Sequence, residues 1–222
     1  MSERPVTIAT VGAALSANKG AASMLLALVD QLVDRPSTEV TILTTYPEED
    51  LPLLDRRASL APMTPRQILF PVLPLAILIW LVRLVGVPAS ALAWAHPTVK
   101  ALADADVVAD LAGICFSDGR GIPTLAYNVL MTGIPILLGT PVVKCSQAIG
   151  PTEEAITRTA ASWVLPHVST IVARGESTER HLEGLGLHNV RPGADLAFLL
   201  RTSAEDEAEA RRLVGDDEYV VV

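Results

Sequence analysis

Apolar positions along this chain fall in short continuous runs separated by glycine-bearing loops, the pattern of strands buried on both faces of a parallel sheet. Val6 to Val11 reads as the first strand, and the loop Gly12 to Gly20 leads into an Ala- and Leu-rich helix from about Ala21 to Val33. Val40 to Thr44 is the next strand, so these elements form a right-handed parallel βαβ unit. Pro47 to Pro65 reads as a polar, proline-punctuated connection. Asp106 to Leu111 is another strand, and Gly113 to Gly121 is a loop rich in glycine and aspartate. Pro123 to Leu138 is expected to be a helix kinked at Gly133 and Pro135 and stopped by Gly139. Taking Ile134 to Leu138 as a strand instead would leave too little chain for a crossover to the next strand, Pro141 to Cys145. A loop, Ser146 to Pro151, precedes a helix from Thr152 to Leu165, with Glu153 and Glu154 at its positive end. A strand (Thr170 to Ala173), a helix (Glu176 to Leu185) and a short strand (Asn189 to Arg191) follow. The expected class is α/β, a Rossmann-like, mostly parallel sheet with helices on both faces.

A charged helix from Ala204 to Val214 and the start of a strand at Glu218 to Val222 end the chain. A polar linker followed by a strand that stops at once is expected of a second domain's beginning. The expected division is therefore 1–203 for an N-terminal domain with an apolar helical insertion at 68–95, and 204–222 for the linker and first strand of an absent C-terminal domain.

Ile68 to Ala95 is unusual, because Arg83 is its only charge. A straight membrane crossing needs roughly 20 apolar residues, and Pro71, Pro74, Arg83, Gly86 and Pro88 are expected to chop this stretch into shorter pieces. Two readings stand side by side. One is a buried helical hairpin under the sheet; the other is an element that dips into a membrane surface, with Arg66, Arg83 and Lys100 near its edges.

Composition narrows the chemistry. With 17 Lys plus Arg against 25 Asp plus Glu, the net charge of -8 argues against nucleic-acid binding. The 4% aromatic content leaves no base-stacking or sugar platform. Cys115 and Cys145 sit in apolar surroundings without a CxxC spacing, which suits buried thiols in the cytoplasm. Arg4 before the run Val6 to Leu15 imitates a secretory signal, but Glu3 and Pro5 spoil the basic start. His96, His167, His181 and His188 make no metal-ligand spacing, so no metal is expected.

In open parallel sheets, ligands collect beyond the carboxyl ends of the strands. That rule nominates Asn18, Lys19 and Gly20 after the first strand, and Asp110, Gly113 and Asp118 after the central one. It further nominates Ser146, Gln147 and Gly150, then Arg174 and Glu176, then Asp195. Each has a plainer reading. Asn18 and Gly20 can simply start a helix, Asp118 can be a turn residue beside Gly119, and Arg174 can pair with Glu176 or Asp195. Neither GxxxxGK nor GxGxxG is present. Gln147 is an amide directly after a buried strand and must find partners. Arg174, at the tip of an apolar strand, is the best single candidate for gripping a carboxylate or phosphate with two bonds.

These segments together resemble the polysaccharide pyruvyl transferase family. The resemblance is carried by Asn18-Lys19-Gly20-Ala21, Asp110-Leu-Ala-Gly113-Ile-Cys-Phe116-Ser-Asp118, Pro141-Val-Val-Lys-Cys-Ser146-Gln147-Ala-Ile-Gly150-Pro151, Ala173-Arg174-Gly-Glu-Ser177 and Gly193-Ala-Asp195-Leu-Ala-Phe198. Many members carry Gly-Asp where this chain has Gly20-Ala21. The resemblance implies two facing Rossmann-like domains in a GT-B arrangement, phosphoenolpyruvate as donor substrate with no further cofactor, and a sugar or lipid-linked saccharide acceptor of the cell envelope. It implies cations for the donor, with Arg174 in that task, and a base for the sugar hydroxyl at Asp118 or Asp110; no residue stands out as the acid. The alternatives are a GT-B glycosyltransferase using a nucleotide sugar, and a non-catalytic membrane-associated protein of the same fold. The expected location is cytoplasmic, with a peripheral position at the inner face of the cell membrane as the alternative that the apolar stretch leaves open.

The 222-residue chain alone is expected not to turn over phosphoenolpyruvate, since the donor side belongs to the absent domain. Phosphate release by this chain at the rate of a complete enzyme would overturn the two-domain expectation.

Overall fold

The described residues form eight strands: β1 (Val6–Val11), β2 (Thr38–Thr44), β3 (Ala58–Pro62), β4 (Val107–Asp110), β5 (Ile114–Cys115), β6 (Val142–Ile149), β7 (Thr170–Arg174) and β8 (Val190–Gly193). A computed structural model describes residues 4–54, 58–86, 88, 90–201 and 204–214. Its strands make one Rossmann-like sheet in the order β3-β2-β1-β4-β6-β7-β8, with β5 paired to the end of β6. The pairings are parallel throughout. The winding reverses between β1 and β4, so the loops after these two strands diverge and leave a crevice at their carboxyl ends.

Alternation along the strands sorts the core into two faces. Val40 and Ile42 pack with Met24, Leu25 and Val29 of the Lys19–Val33 helix, whereas Leu43 joins the larger cluster on the other side. That larger cluster collects Ile68, Val72, Ala76 and Ile79 from the Pro65–Arg83 helix, and Met131, Ile134 and Leu138 from Ile122–Leu138. Asn18 caps the first helix by accepting from the Ala21 N–H at 3.2 Å.

Arg83, the one charge of the long apolar stretch, has a local job. The Ile122–Leu138 helix ends at Gly139 in the left-handed conformation, φ +84°, and the Arg83 guanidinium lies on it, donating from Nη1 to the Leu137 carbonyl at 3.3 Å. A cation is favourable where a helix leaves its last carbonyls unpaired. A Cβ on Gly139 would fall 2.0 Å from Arg83 Nη1, so the glycine also makes room for the cap.

The structure departs from the sequence reading at several points. The connection between Pro47 and Pro65 contains β3, an edge strand whose ASLAP pattern is too weakly apolar to announce itself. Pro71 and Pro74 do not chop the apolar stretch, since Pro65–Arg83 runs as one helix of 19 residues, but the stretch does break after Arg83, with Gly86 and Pro88 lying before the short helix Ser90–Ala93. Pro71 sits inside a π turn, Ile68–Val72, and Pro74 in the first turn of the α segment Leu73–Arg83, so the wider turn absorbs donors that prolines cannot supply. By length and composition alone this helix is apolar enough to cross a membrane. It is not a wholly buried hairpin arm, because Leu69, Phe70, Ile77, Leu78, Trp80 and Leu81 are exposed. Strand β6 extends to Ile149, so Ser146 and Gln147 belong to the sheet rather than to a loop. Ile114 and Cys115 interrupt the expected loop as β5. Of the chain's end, Ala204–Val214 is a helix, while the expected strand from Glu218 lies outside the described residues.

Candidate functional site

A register irregularity in β6 shapes the floor of the crevice. Between Lys144 and Gln147 the pairing with β7 shifts, and Ser146 adopts φ +54°. Regular alternation would send residues 144 and 147 to opposite faces; the bulge brings both to one side. There they meet Asp110 at the end of β4. Lys144 Nζ donates to Asp110 Oδ2 at 2.5 Å and to Gln147 Oε1 at 3.2 Å. Gln147 Nε2 donates to Asp110 Oδ1 at 2.7 Å and to its backbone oxygen at 2.6 Å. Thr132 Oγ1, the Ala112 N–H and Cys115 Sγ add donors to Asp110 Oδ2, Asp110 Oδ1 and Gln147 Oε1.

This network is sealed: Lys144 is 0% and Asp110 1% exposed. Burial pulls the Lys144 ammonium towards losing its proton, but the Asp110 carboxylate outweighs it and holds the Lys144 pKa above the usual value. Burial pushes the Cys115 thiol up to about 11 and Cys145 to about 12, so both stay protonated near neutrality. The network also grips the loop after β1. A Cβ on Gly12, φ +84°, would meet the Ala112 nitrogen at 2.7 Å and Asp110 Oδ1 at 2.9 Å. Asp110 and Gln147 therefore lie beneath the crevice.

Above this floor the structure brings together Arg174, Asp195, Gly113 and Ser146. Arg174 ends β7 and donates from Nη1 to Asp195 Oδ2 at 2.5 Å and from Nη2 to the Gly113 carbonyl at 3.1 Å. The two charged side chains are 28% and 30% exposed. Among the described residues, Nε–H and one N–H of Nη2 have no hydrogen-bond partner. Met24 of the first helix touches Nη1 at 3.9 Å, linking that helix to the same corner. Ser146 Oγ donates to the Ala194 carbonyl at 2.5 Å and accepts from the Leu196 N–H at 3.0 Å. Among the described residues Glu176 makes no ion pair with Arg174; it opens the Glu176–Gly184 helix.

A second cluster forms around Asp118 and Gly150. Asp118 Oδ2 accepts from the Glu153 N–H at 2.6 Å and the Glu154 N–H at 3.1 Å. Desolvation pushes the Asp118 carboxyl up, but these N–H groups outweigh it and hold the pKa below the ordinary range. The Gly150–Pro151 peptide is cis. The His181 ring packs on Gly150, where a Cβ would meet it at 2.6 Å. Asn18 caps the first helix, and Lys19 and Gly20 begin it.

Sequence reasoning missed Lys144 and Asp50. A lone lysine inside an apolar strand was the available signal, since an ammonium there must have a buried counter-charge. Asp50 accepts from the Leu15 N–H at 3.1 Å, the Ser16 N–H at 2.7 Å and Ser16 Oγ at 2.5 Å, and so supplies the first loop with a carboxylate from a distant turn. Nothing local announces that contact. Among the described residues no group of three or more His, Cys, Asp or Glu is disposed to hold a metal ion. Remote from the crevice loops, an apolar groove of ≈ 600 Å³ opens between helices, with Leu73, Trp80, Leu130, Ile134, Trp163 and His167 among its walls.

A model of the family described as polysaccharide pyruvyl transferase matches residues 18–222. A search of curated proteins finds no match.

Removing one partner of the buried pair should be costly, because the other is left charged without compensation. Asp110→Ala is expected to destabilise the domain by about 3 to 5 kcal/mol, read as the shift in urea unfolding free energy against wild type. A loss under about 1 kcal/mol would mean that Lys144 finds another counter-charge or water.

Proposed function

Because the chain belongs to the polysaccharide pyruvyl transferase family, we propose that it takes part in transferring a pyruvyl group from phosphoenolpyruvate to a sugar of a cell-envelope or exopolysaccharide precursor, with Arg174 gripping an anionic group of donor or acceptor. The observation that carries the reading is the state of Arg174. Asp195 and Gly113 use one side of the guanidinium, while Nε–H and one N–H of Nη2 keep the fork available at a partly exposed corner of the crevice. Gly175, at φ +82°, follows it and leaves the backbone open to an approaching ligand.

The reaction needs cations for the carboxylate and phosphate of the donor, an acid to protonate its methylene carbon and a base for the sugar hydroxyl. Arg174 meets the first need. Of the two aspartates considered as base, Asp110 is sealed in the Lys144 network, so the task falls to Asp118, which stays ionised and whose Oδ1, though buried in this structure, is not taken up by a partner among the described residues. In this reading a facing second domain, as in GT-B enzymes, supplies the remaining groups. A glycosyltransferase using a nucleotide sugar is the rival, and the two separate by product: phosphate from phosphoenolpyruvate in one case, a nucleoside diphosphate in the other.

The same reading places the protein at the inner surface of a membrane. Support comes from the outer face of the Pro65–Arg83 helix and from the tryptophans. The chain has three, and Trp80, Trp94 and Trp163 are 42%, 72% and 70% exposed. Tryptophan favours the boundary between water and lipid, where its ring is buried and its N–H stays wet. Arg66 stands at the entry of the helix and Arg83 at its exit, although Arg83 is already engaged by Leu137.

Two outcomes are expected. Losing the bidentate contact in Arg174→Ala should lower turnover by roughly thirtyfold to a thousandfold, about 2 to 4 kcal/mol, in the complete enzyme, with Arg174→Lys recovering only part. Wild-type turnover in both variants, or a loss that only follows melting temperature, would make Arg174 structural. Leu78→Asp with Trp80→Asp, both at partly exposed positions, should release the protein from anionic liposomes in a flotation assay while it still melts cooperatively as a folded protein. Unchanged partitioning would remove the membrane contact from the reading.

A further inference from the structure

We infer that Ser146 is a positioning residue for Arg174, acting through Asp195. The inference rests on Arg174 contacting the anionic substrate, as proposed above, and adds a residue that touches no substrate. Its basis is the geometry of the β6 bulge. The irregularity that turns Lys144 and Gln147 together towards Asp110 also rotates Ser146 the other way, at φ +54°, an uncommon conformation for a residue with a Cβ. Such conformations persist where the surroundings hold them, often next to functional sites.

The Ser146 side chain is spent wholly on the turn after β8. Its hydroxyl donates to Ala194 O and accepts from Leu196 N–H, so a single oxygen holds the residues on both sides of Asp195. Asp195 in turn uses Oδ1 to accept from the Ala197 N–H at 2.9 Å and Oδ2 to accept from Arg174. Both carboxylate oxygens are thereby aimed by the short turn Leu196–Leu199 that Ser146 fastens to the sheet. Gly113, the other partner of Arg174, is tied to β6 from the opposite side, since its carbonyl also accepts from the Ala148 N–H at 3.0 Å. Strand β6 thus sets both contacts of the guanidinium: one directly through Ala148 and Gly113, the other through Ser146 and Asp195. A bidentate contact depends on the plane of the fork, so a small rotation of Asp195 is enough to misdirect it.

The test is a double-mutant cycle in the complete enzyme, with KM for phosphoenolpyruvate, kcat and melting temperature measured for wild type, Ser146→Ala, Arg174→Ala and the double variant. Ser146→Gly runs alongside, because glycine accepts φ +54° without strain while lacking the hydroxyl. Ser146→Ala and Ser146→Gly are each expected to lower kcat/KM by about ten- to hundredfold when Arg174 is present. In the Arg174→Ala background the same changes should cost less than about twofold. Equal losses in both backgrounds would overturn the inference and leave the role of Arg174 standing. Turnover unaffected by Ser146→Gly would overturn it as well. If Arg174→Ala itself keeps wild-type turnover, the proposed role of Arg174 fails and this inference falls with it.

Discussion

A lysine with no exposed surface is tolerable only while a counter-charge stays beside it, and much of this domain is arranged to keep Asp110 beside Lys144. Desolvating both groups is expensive, and their attraction offsets it only when the remaining donors and acceptors are also matched. They are matched here by Gln147, Thr132 and Ala112, drawn from β6, the Ile122–Leu138 helix and the loop after β4. The bulge in β6 is what allows residues 144 and 147 to share that side. The Phe116 ring, 5.3 Å from Nζ at its centre, closes the site with a cation–π contact.

The pair sits at the carboxyl ends of β4 and β6, directly under the loops that line the crevice, and this location gives it consequences beyond stability. Replacing a buried ion pair by apolar groups often leaves a protein no less stable, so its value is better sought in what it orients. Asp110 fixes Ala112, Ala112 crowds Gly12, and Asp50 holds Leu15 and Ser16 from the far side of the same loop. The backbone around the crevice is therefore set by buried side chains, which leaves Arg174 and its partners at a partly exposed corner on a rigid support. Among the described residues the Arg174 guanidinium is held through Nη1 by Asp195 and through Nη2 by Gly113, and its Nε–H has no partner.

How much of this was legible follows from which features are local. Strands β1, β4 and β7 are runs of β-branched and small apolar residues, and the loops after them follow from the handedness of parallel units, so the crevice and Arg174 could be placed before any coordinates. The bulge could not. It depends on how β6 registers with β7, and the letters Lys-Cys-Ser-Gln read as the end of a strand followed by a loop. Edge strand β3 escaped because ASLAP lacks both alternation and bulk. The ion pair of Arg174 with Asp195 stood among the open alternatives, because two charged residues 21 positions apart can meet only once the order of β7 and β8 is known.

The Pro65–Arg83 helix shows a different kind of limit. Its buried positions, Ile68, Val72, Ala76 and Ile79, recur at the spacing of one helical face, and those four meet the core's requirement. A helix that only covered a sheet would carry polar residues opposite them. This one carries Leu69, Phe70, Ile77, Leu78 and Leu81, exposed, with no charge between Arg66 and Arg83. The one cation at its exit, Arg83, is exposed and also lies on Gly139, donating to the Leu137 carbonyl of a neighbouring helix. These exposed apolar side chains work against solubility, and the packing of the sheet does not require them. The folding of the sheet accounts for the inner face of this helix and leaves its apolar outer face without a packing reason.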